Sequence, residues 1–293
     1  MDWKDPNIAE KYKAGESMTG PFAQHLIRQA GLDDKTPATG DLVVLDSACG
    51  TGIVTLHLYA QLPGHAKARI QHTCGDISPG MIEAVRSRIR ENGWAGATAK
   101  IIDAQNMDVP SAHFTHILTN FGVVGIPDPR RAIREWRRAL RPGGVAGFTV
   151  WEGVGWYPAV EAAVRSLGGA DGGGPPFPTW QEFGRVFSGG PGDSWEDRPF
   201  FEREVAAAGF EAVRSEMFVN RTTHASAGEF TEVFGGMLKV ITEKFWSEAE
   251  KEKYGPLLSG AVEKALRELY GEGEIELDWR AWVVTAKVPL EQE

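Results

Sequence analysis

The chain has 293 residues, of which 42% are hydrophobic, and its formal net charge is −9 at pH 7. This length and composition suit one large globular unit with a sizeable core. The acidic balance argues against binding to nucleic acid or to an anionic membrane surface, because both select basic proteins.

The first element predicted along the chain is a helix over Glu10 to Gln29, whose Phe22 and Leu26 would cover a sheet. The residues before it show no signal-peptide pattern. No segment approaches the roughly 20 consecutive apolar residues of a membrane span. We therefore expect a cytoplasmic protein with a helical cover over residues 1–40.

An apolar run over residues 42–45 ends in Asp46 and leads into a turn that contains Gly50 and Gly52. Such a run is typical of a strand buried on both faces of a parallel sheet, and helical spacing begins at Ile53. The turn would then lie at the carboxyl edge of the sheet, where open α/β sheets bind ligands. Glycines let a ligand approach the backbone amides at the helix start.

The charge of Asp46 indicates which ligand this turn binds. The dinucleotide fingerprint G-x-G-x-x-G is not met, because Ala48 and Ile53 replace two of its glycines. A carboxylate would repel a pyrophosphate but attract the ammonium and sulfonium groups of S-adenosylmethionine. We therefore predict S-adenosylmethionine as the cofactor.

Two further acids end the next two predicted strands, Asp76 after residues 70–75 and Asp103 after residues 99–102. By strand order we expect Asp76 to accept hydrogen bonds from the ribose hydroxyls and Asp103 to face the adenine amino group. Each aspartate alone could merely cap the helix that follows it. Acids at three consecutive strand ends favour a cofactor site instead.

The rest of the chain continues the alternation and then departs from it. Further strands are predicted near residues 115–120, 145–151, 212–219 and 279–288, and further helices over residues 79–92 and 199–208, with two more between 227 and 270. The stretch Gly168 to Gly192 is rich in glycine and proline and predicts a long loop.

These motifs resemble those of the class I S-adenosylmethionine-dependent methyltransferases, including Leu140-Arg-Pro-Gly-Gly before the fifth strand. YKAGESMTGPFAQHL from Tyr12, CGDISPGM from Cys74 and PFPT from Pro176 are similar to the fungal gliotoxin bis-thiomethyltransferase and its relatives. The resemblance implies an α/β, Rossmann-like fold whose seven-stranded, mostly parallel sheet has helices on both faces, a helical cover and insertions. It implies one methyltransferase domain over 1–293, with the cover at 1–40, the cofactor-binding core at 41–152, and substrate-side insertions and last strands at 153–293.

The strand ends and the resemblance together indicate the site residues. The candidates for cofactor binding are Tyr12, Asp46, Ala48, Gly50, Thr51, Gly52, Asp76, Ile77, Met81, Asp103, Ala104, Asn120 and Phe121. The candidates for an apolar substrate pocket are Trp151, Trp156, Phe177, Trp180, Phe234 and Met237. Helix aromatics such as Phe230 and Phe245 are expected to be core residues.

No histidine and carboxylate pair stands out as a general base, which favours an acceptor that is itself acidic. His25, on the cover helix, is the best candidate for a base, and its alternative is a partly exposed residue without catalytic contact. Cys49 and Cys74 are expected to be small buried packing residues. The histidines lack metal-ligand spacing, so no metal site is predicted.

The sequence therefore predicts a methyltransferase acting on a thiol or an acidic hydroxyl of a small molecule of fungal secondary metabolism. We expect no nucleic-acid or membrane partner, and a monomer is favoured. Two alternatives stay open. One is a protein that binds the cofactor without methylating, as a ligand sensor or cyclisation catalyst, and the other is a methyltransferase of protein or nucleic acid.

Overall fold

The computed structural model describes residues 8–13, 15–169, 173–187 and 189–290. The helices are α1 (Ile8–Lys13), α2 (Glu16–Gln29), α3 (Ile53–Gln61), α4 (Gly64–Lys67), α5 (Pro79–Asn92), α6 (Pro129–Ala139), α7 (Tyr157–Ser166), α8 (Trp180–Arg185), α9 (Arg198–Ala207), α10 (Ala227–Phe245) and α11 (Glu248–Tyr270). The strands are β1 (Val43–Ser47), β2 (Gln71–Asp76), β3 (Ala97–Ile101), β4 (Phe114–Asn120), β5 (Leu140–Val154), β6 (Glu211–His224) and β7 (Ile275–Lys287).

The strands form one seven-stranded sheet in the order β3-β2-β1-β4-β5-β7-β6. The strand β1 pairs in parallel with β2 and β4, and the pairs β2 with β3 and β4 with β5 are also parallel. The register brings Asp46 beside Cys74 on one side and Leu118 on the other. The predicted class, α/β with a mostly parallel seven-stranded sheet, is confirmed.

Helices cover both faces of this sheet, and β1 shows why. Successive side chains of a strand point to opposite faces. Leu45 belongs to a buried cluster that includes Trp136 of α6 and Phe201 of α9. Its neighbour Val44 belongs to a second cluster that includes Leu26 of α2. A strand buried on both sides must be apolar throughout, as residues 42–45 are.

The chain forms two compact units. The first, which we call the sheet unit, comprises Asp2–Glu152, Phe187–Phe218 and Ala281–Glu293. The second, which we call the insert unit, contains Gly153–Val186 and Val219–Arg280. Residues 187–218 thus belong to the sheet unit although they lie between the two segments of the insert unit in sequence.

The prediction of a loop over Gly168 to Gly192 is wrong in one part, because α8 lies within it. Thr179 and Glu182 form a capping box in which each side chain accepts a hydrogen bond from the other residue's backbone N–H. This capping pattern is visible in the sequence, but the surrounding glycines and prolines outweighed it. Residues 170–172 and 188 of this stretch lie outside the described residues.

Several predicted bounds also change. The cover is two helices, α1 and α2, rather than one, and Ala14 between them lies outside the described residues. The strands β5 and β7 begin earlier than predicted and β6 ends later. Cys49 and Cys74 are buried, as predicted. Within the described ranges, no helix combines the length and apolar character needed to cross a bilayer.

Candidate active site

The turn between β1 and α3 passes through left-handed backbone at three residues. The φ angles are +52° at Ala48, +53° at Gly50 and +87° at Gly52. A Cβ added to Gly52 would approach Val85 Cγ2 to 3.2 Å, whereas one added to Gly50 would meet no atom within 4 Å. Position 52 is therefore crowded, while the space beside Gly50 is open to a ligand.

Asp76, at the end of β2, holds this turn in place. Its Oδ2 accepts a hydrogen bond of 2.9 Å from the backbone N–H of Gly50, and its Oδ1 accepts one of 2.9 Å from Ser78. Only 8% of the residue is exposed. Burial raises the pKa of Asp76, and the bonds from Ser78 and Gly50 oppose that rise. The carboxylate thus supports the turn as well as bordering the predicted site.

Asp46, at the end of β1, is 1% exposed. Its Oδ2 accepts a hydrogen bond of 2.9 Å from the hydroxyl of Thr55, while its Oδ1 is buried without a partner among the described residues. Burial raises the pKa of Asp46 to about 7. A buried carboxylate oxygen that lacks a donor is suited to a cationic ligand, which would supply both charge and hydrogen bonds.

A polar cluster around Thr55 was not predicted. Its hydroxyl lies 2.9 Å from His72 Nε2 and 3.2 Å from Cys74 Sγ, besides bonding Asp46. Ligand atoms of Asp46, His72 and Cys74 lie within 4.8 Å of one another, which could hold a metal ion, but the Thr55 hydroxyl already links all three. Burial lowers the pKa of His72 to about 3 and raises that of Cys74, so both are neutral. The sequence signal that could have revealed this cluster is the spacing of His72 and Cys74, which places both side chains on the same face of β2.

The acid at the end of β3 has a local role in the structure. Asp103 Oδ1 accepts hydrogen bonds from the backbone N–H of Gln105 at 2.9 Å and from its side chain at 3.2 Å. The backbone N–H of Ile102 bonds the carbonyl of Asp76 at 3.0 Å, so the ends of β2 and β3 adjoin. The two acids therefore belong to neighbouring turns at one sheet edge.

Ile77, directly after Asp76, exposes 53% of its surface, which is high for isoleucine. The other two apolar candidates nearby, Met81 and Ala104, are buried. Met81 packs in a small cluster with Ala9 of α1. Ile77 is therefore the apolar candidate with surface available to a ligand.

The cover helix α2 is bonded to the turn. The hydroxyl of Thr51 donates to Glu16 Oε1, and Arg88 Nη2 lies 2.7 Å from both carboxylate oxygens of Glu16. The Nη1 of Arg88 is buried without a partner among the described residues. Tyr12 is 38% exposed, yet desolvation of its hydroxyl, with a further contribution from the charge of Asp76, raises its pKa to about 12. Glu16 and Arg88 were missed because they are far apart in sequence.

Asn120, at the end of β4, is the centre of a clamp. Its Oδ1 accepts a hydrogen bond of 2.8 Å from the hydroxyl of Thr149, which in turn accepts one of 2.8 Å from the backbone N–H of Phe121. The side-chain N–H₂ of Asn120 donates to the carbonyl of Thr19 in α2 at 3.3 Å. These bonds link β4, β5 and α2 around the residue that follows β4.

An aromatic group stands beside this clamp. Phe121 and Trp151 stack with ring centroids 3.7 Å apart and an interplanar angle of 11°. The fully buried Phe22 of α2 meets both rings edge to face, with centroids 5.3 Å away, and also meets Phe218 at 5.3 Å. The carboxyl edge of β4 and β5 thus carries an aromatic wall made by residues of the sheet unit.

His25, the predicted base on α2, forms a hydrogen bond with a glutamate of β6. Its Nε2 lies 3.0 Å from Glu216 Oε2, and its ring lies 4.9 Å from that of Phe218. The hydrogen bond from His25, ahead of the one from Arg214, lowers the pKa of Glu216. Because the Glu216 carboxylate is an acceptor, Nε2 is the donor in this contact, and Nδ1 is the nitrogen left for the role of a base.

Three predicted substrate residues share an aromatic cluster in the insert unit. Tyr157 meets Phe177 at a centroid distance of 5.0 Å and Trp180 at 5.6 Å. Phe183 meets Trp156 and Trp180, each at 5.8 Å. Trp156 is buried, whereas Phe177 and Trp180 retain partial exposure. The indole N–H of Trp180 is buried without a partner among the described residues.

The other two predicted substrate residues of the insert unit lie on α10. Phe234 stacks on Phe230 at 4.7 Å and on Trp279 at 5.5 Å, and His224 meets its ring at 5.6 Å. Met237 is half-buried. Phe230 is fully buried, which confirms it as a core residue. Burial lowers the pKa of His224, so this unpredicted histidine is neutral at physiological pH.

The residues of the sheet edge fit S-adenosylmethionine. The buried Asp46 oxygen without a donor suits a cation, the open space beside Gly50 admits a ligand against the turn, and Ile77 offers exposed apolar surface next to Asp76. One edge of the sheet, at the ends of neighbouring strands, thus offers a carboxylate, free space and an apolar surface to the cofactor.

Comparisons with known proteins agree with this geometry. A family model described as a methyltransferase domain matches residues 44–144. The acetylaranotin bis-thiomethyltransferase of Aspergillus terreus (strain NIH 2624 / FGSC A1156) is 32% identical over 283 residues, which cover 96% of this chain and 94% of that protein. Methyltransferase tpcH of Aspergillus fumigatus is 29% identical and covers 92% of this chain and 91% of that protein.

A solved structure of Haemonchus contortus phosphoethanolamine N-methyltransferase 2, in complex with phosphomonomethylethanolamine and S-adenosylhomocysteine, matches with a TM-score of 0.51. It is 16% identical and covers 99% of this chain and 60% of that one, so it supports the fold alone. The near full-length similarity to the Aspergillus terreus enzyme goes further and shows the family. The chain belongs to the class I S-adenosylmethionine-dependent methyltransferases.

Proposed function

We propose that the protein methylates a thiol, or a hydroxyl of comparable acidity, on a small secondary metabolite. The observation that carries this proposal is the wall at the end of β4 and β5. Its rings, Phe121 and Trp151, offer apolar contact, while the polar groups beside them, Asn120 and Thr149, are bonded to each other. Such a surface suits an apolar acceptor that needs little help to lose a proton.

The energetics of the acceptor support this choice. When bound, S-adenosylmethionine supplies an electrophilic methyl group on a positively charged sulfur. A thiol with a pKa of about 8.5 is a few per cent thiolate at neutral pH, so leaving it unassisted costs only about 2 kcal/mol. An aliphatic alcohol would cost several times more. The name of the Aspergillus terreus relative, a bis-thiomethyltransferase, also favours sulfur.

We assign the cofactor contacts by their chemistry. Asp46 would face the cationic methionine end, and Asp76 would accept from the ribose hydroxyls through the lone pairs that Gly50 and Ser78 leave open. Ile77 would lie against the adenine. The remaining candidates would form the surrounding surface: Tyr12, Ala48, Thr51, Gly52, Met81, Asp103, Ala104, Asn120 and Phe121.

The substrate would be held by aromatic and apolar surface. We propose the six residues predicted from the sequence, one in the sheet unit and five in the insert unit, for this role: Trp151, Trp156, Phe177, Trp180, Phe234 and Met237. Partly exposed rings such as Phe177 and Trp180 are better placed for contact than the buried Trp156. The reaction then requires alignment and exclusion of water rather than covalent help from the protein.

A base is needed only for a less acidic acceptor. We retain His25 as the candidate for that case, with Glu216 orienting its ring and Nδ1 accepting the proton. For a thiol acceptor we propose that no side chain acts as a base.

The test is to incubate the protein with S-adenosylmethionine and a panel of dithiols, hydroxypyrones and phenols, and to score gained methyl units by mass spectrometry. Methylation of a thiol supports the proposal, and two methyl units on a dithiol support it most strongly. Transfer to protein or nucleic acid but not to any small molecule would overturn the substrate class. Cofactor binding without transfer to any acceptor would favour the non-methylating alternative.

A further inference from the structure

Phe121 adopts a backbone conformation that a phenylalanine rarely takes. Its φ is +60°, in the left-handed region. This conformation is unfavourable for a residue with a side chain and persists only where the surroundings impose it. Strained residues of this kind cluster at functional sites, so the observed strain calls for a role for the Phe121 ring.

The surroundings impose the conformation from two sides. The backbone N–H of Phe121 is fixed by Thr149, whose hydroxyl is itself oriented by Asn120. The next residue, Gly122, has no room for a side chain, because an added Cβ would overlap Thr119 and come within 2.8 Å of Ala48 Cβ. The residues that follow β4 therefore pack closely against the turn between β1 and α3.

This close packing also places the Phe121 ring near Asp46, the acid proposed to attract the cofactor. Asp46 is in register with Leu118, two residues before Asn120 in β4, and Ala48 lies against Gly122. One face of Phe121 is covered by Trp151 at 3.7 Å, and the ring retains partial exposure. The ring thus stands at the edge that a cationic ligand of Asp46 would reach.

A charge distinction follows from the chemistry of the two cofactor forms. S-adenosylmethionine and its product S-adenosylhomocysteine carry the same ammonium group, so Asp46 cannot separate them through that group. They differ in the positive charge on sulfur. The face of an aromatic ring attracts a cation more strongly than it attracts a neutral thioether.

We propose that Phe121, backed by Trp151, recognises the sulfonium group and makes the protein prefer the charged cofactor over its neutral product. Thr149 and Asn120 are positioning residues that keep the ring in place. The inference rests on the proposed placement of the cofactor beside Asp46. Loss of the methyl group removes the attraction between the sulfonium and the Phe121 ring, so this step would also favour release of S-adenosylhomocysteine.

The test is calorimetric binding of S-adenosylmethionine and of S-adenosylhomocysteine to the full chain, which needs no acceptor. In Phe121→Leu we expect affinity for S-adenosylmethionine to fall about fivefold to thirtyfold, the range of a desolvated cation–π contact, and affinity for S-adenosylhomocysteine to change less than twofold. The matched control is Trp94→Leu, which breaks the stack with Tyr59 before β3, at the other end of the strands. In Trp94→Leu the affinities for both ligands should stay unchanged.

The positioning role of Thr149 is tested with two further variants. Thr149→Val removes the hydroxyl that fixes Phe121 and should reproduce the loss of preference, whereas Thr149→Ser should retain it. Equal losses for both ligands in Phe121→Leu would overturn the inference and leave the proposed function standing. Failure of the wild-type protein to bind either ligand would overturn the proposed site and the inference together.

Discussion

The carboxylate of Asp76 accepts a 2.9 Å hydrogen bond from the backbone N–H of Gly50, so the acid that ends β2 holds the turn that ends β1. An aspartate in this position was expected to meet the ribose or to cap the helix that follows it. Because the same carboxylate also accepts from Ser78, it joins two turns before any ligand is present. Binding and local stability are therefore coupled at Asp76.

Asp76→Ala should weaken binding of S-adenosylhomocysteine by about 1 to 3 kcal/mol and also lower the melting temperature, because two buried backbone N–H groups lose their acceptor. Asp103→Ala is the control, since within the described part of the chain that carboxylate accepts hydrogen bonds from Gln105 in its own turn. It should cost less stability. Unchanged affinity of Asp76→Ala in calorimetry would remove Asp76 from the site.

Asp46→Asn should change the pH dependence of stability. Burial raises the pKa of Asp46 to about 7, so between pH of about 4 and 7 the native state holds a proton that the unfolded state releases. This group therefore lowers the free energy of unfolding as pH rises through that window. Denaturant titrations at pH 5 and pH 8 should show that the stability of the wild type falls relative to that of Asp46→Asn as the pH rises.

Cofactor affinity should follow the opposite trend. Affinity for S-adenosylmethionine should rise as Asp46 loses its proton near pH 7, because the charged carboxylate attracts the cationic ligand. The ratio of wild-type to Asp46→Asn affinity cancels the ionisation of the ligand itself. A ratio that stays constant from pH 6 to pH 8 would contradict this role of Asp46.

The contact between Glu16 and Arg88 should couple α2 to α5. A double-mutant cycle of Glu16→Gln and Arg88→Gln should give a coupling of about 0.5 to 3 kcal/mol in the free energy of unfolding, since the two side chains bond directly. Hydrogen exchange at the start of α2 should speed up in each single variant. Additive effects of the two changes would mean that the pair contributes nothing as a unit.

Gly50→Ala should abolish cofactor binding at a modest cost in stability. The substitution strains left-handed backbone by about 1 to 2 kcal/mol and places a methyl group in the open space beside the turn. Gly31→Ala is the matched control, because Gly31 also has positive φ and open surroundings but follows α2, away from the turn. Similar melting temperatures with binding lost only in Gly50→Ala are expected; if Gly50→Ala binds normally, the cofactor does not occupy that space.

His25→Asn should leave the rate of thiol methylation within about twofold, because a thiol needs no base at neutral pH. It should lower the melting temperature slightly through loss of the Glu216 contact. The rate is measured across pH 6 to 9 with a thiol acceptor. A hundredfold loss together with the disappearance of one limb of the pH profile would instead establish His25 as a base.

The sequence was sufficient to predict the carboxyl ends of β1, β2, β3 and β4. An apolar run followed by an acid or a glycine is a local pattern, and the fold brings such ends to one edge. The clamp of Asn120 and Thr149 could not be predicted, because it depends on which strand lies beside β4. The bond from Thr51 to Glu16 likewise joins segments whose approach only the tertiary fold determines.

Other errors had local causes. The prediction of one helix over Glu10 to Gln29 passed over Gly15, which is the N-cap of α2. The helix α8 was obscured by its glycine-rich surroundings, although Thr179 and Glu182 carry a capping signal. The cluster around Thr55 was overlooked because Cys74 was expected to be a packing residue and the histidines were considered only for metal-ligand spacing.

Two residues with side chains, Ala48 and Phe121, hold left-handed backbone at the same sheet edge. Together they sacrifice about 2 to 4 kcal/mol, which is a large part of the about 5 to 15 kcal/mol that keeps a typical domain folded. Directed evolution for heat resistance alone would therefore favour glycine at position 48, where the side chain is a single methyl group. At position 121 the same change would also remove a ring that packs on Trp151 and Phe22, so selection for stability would keep the strained phenylalanine.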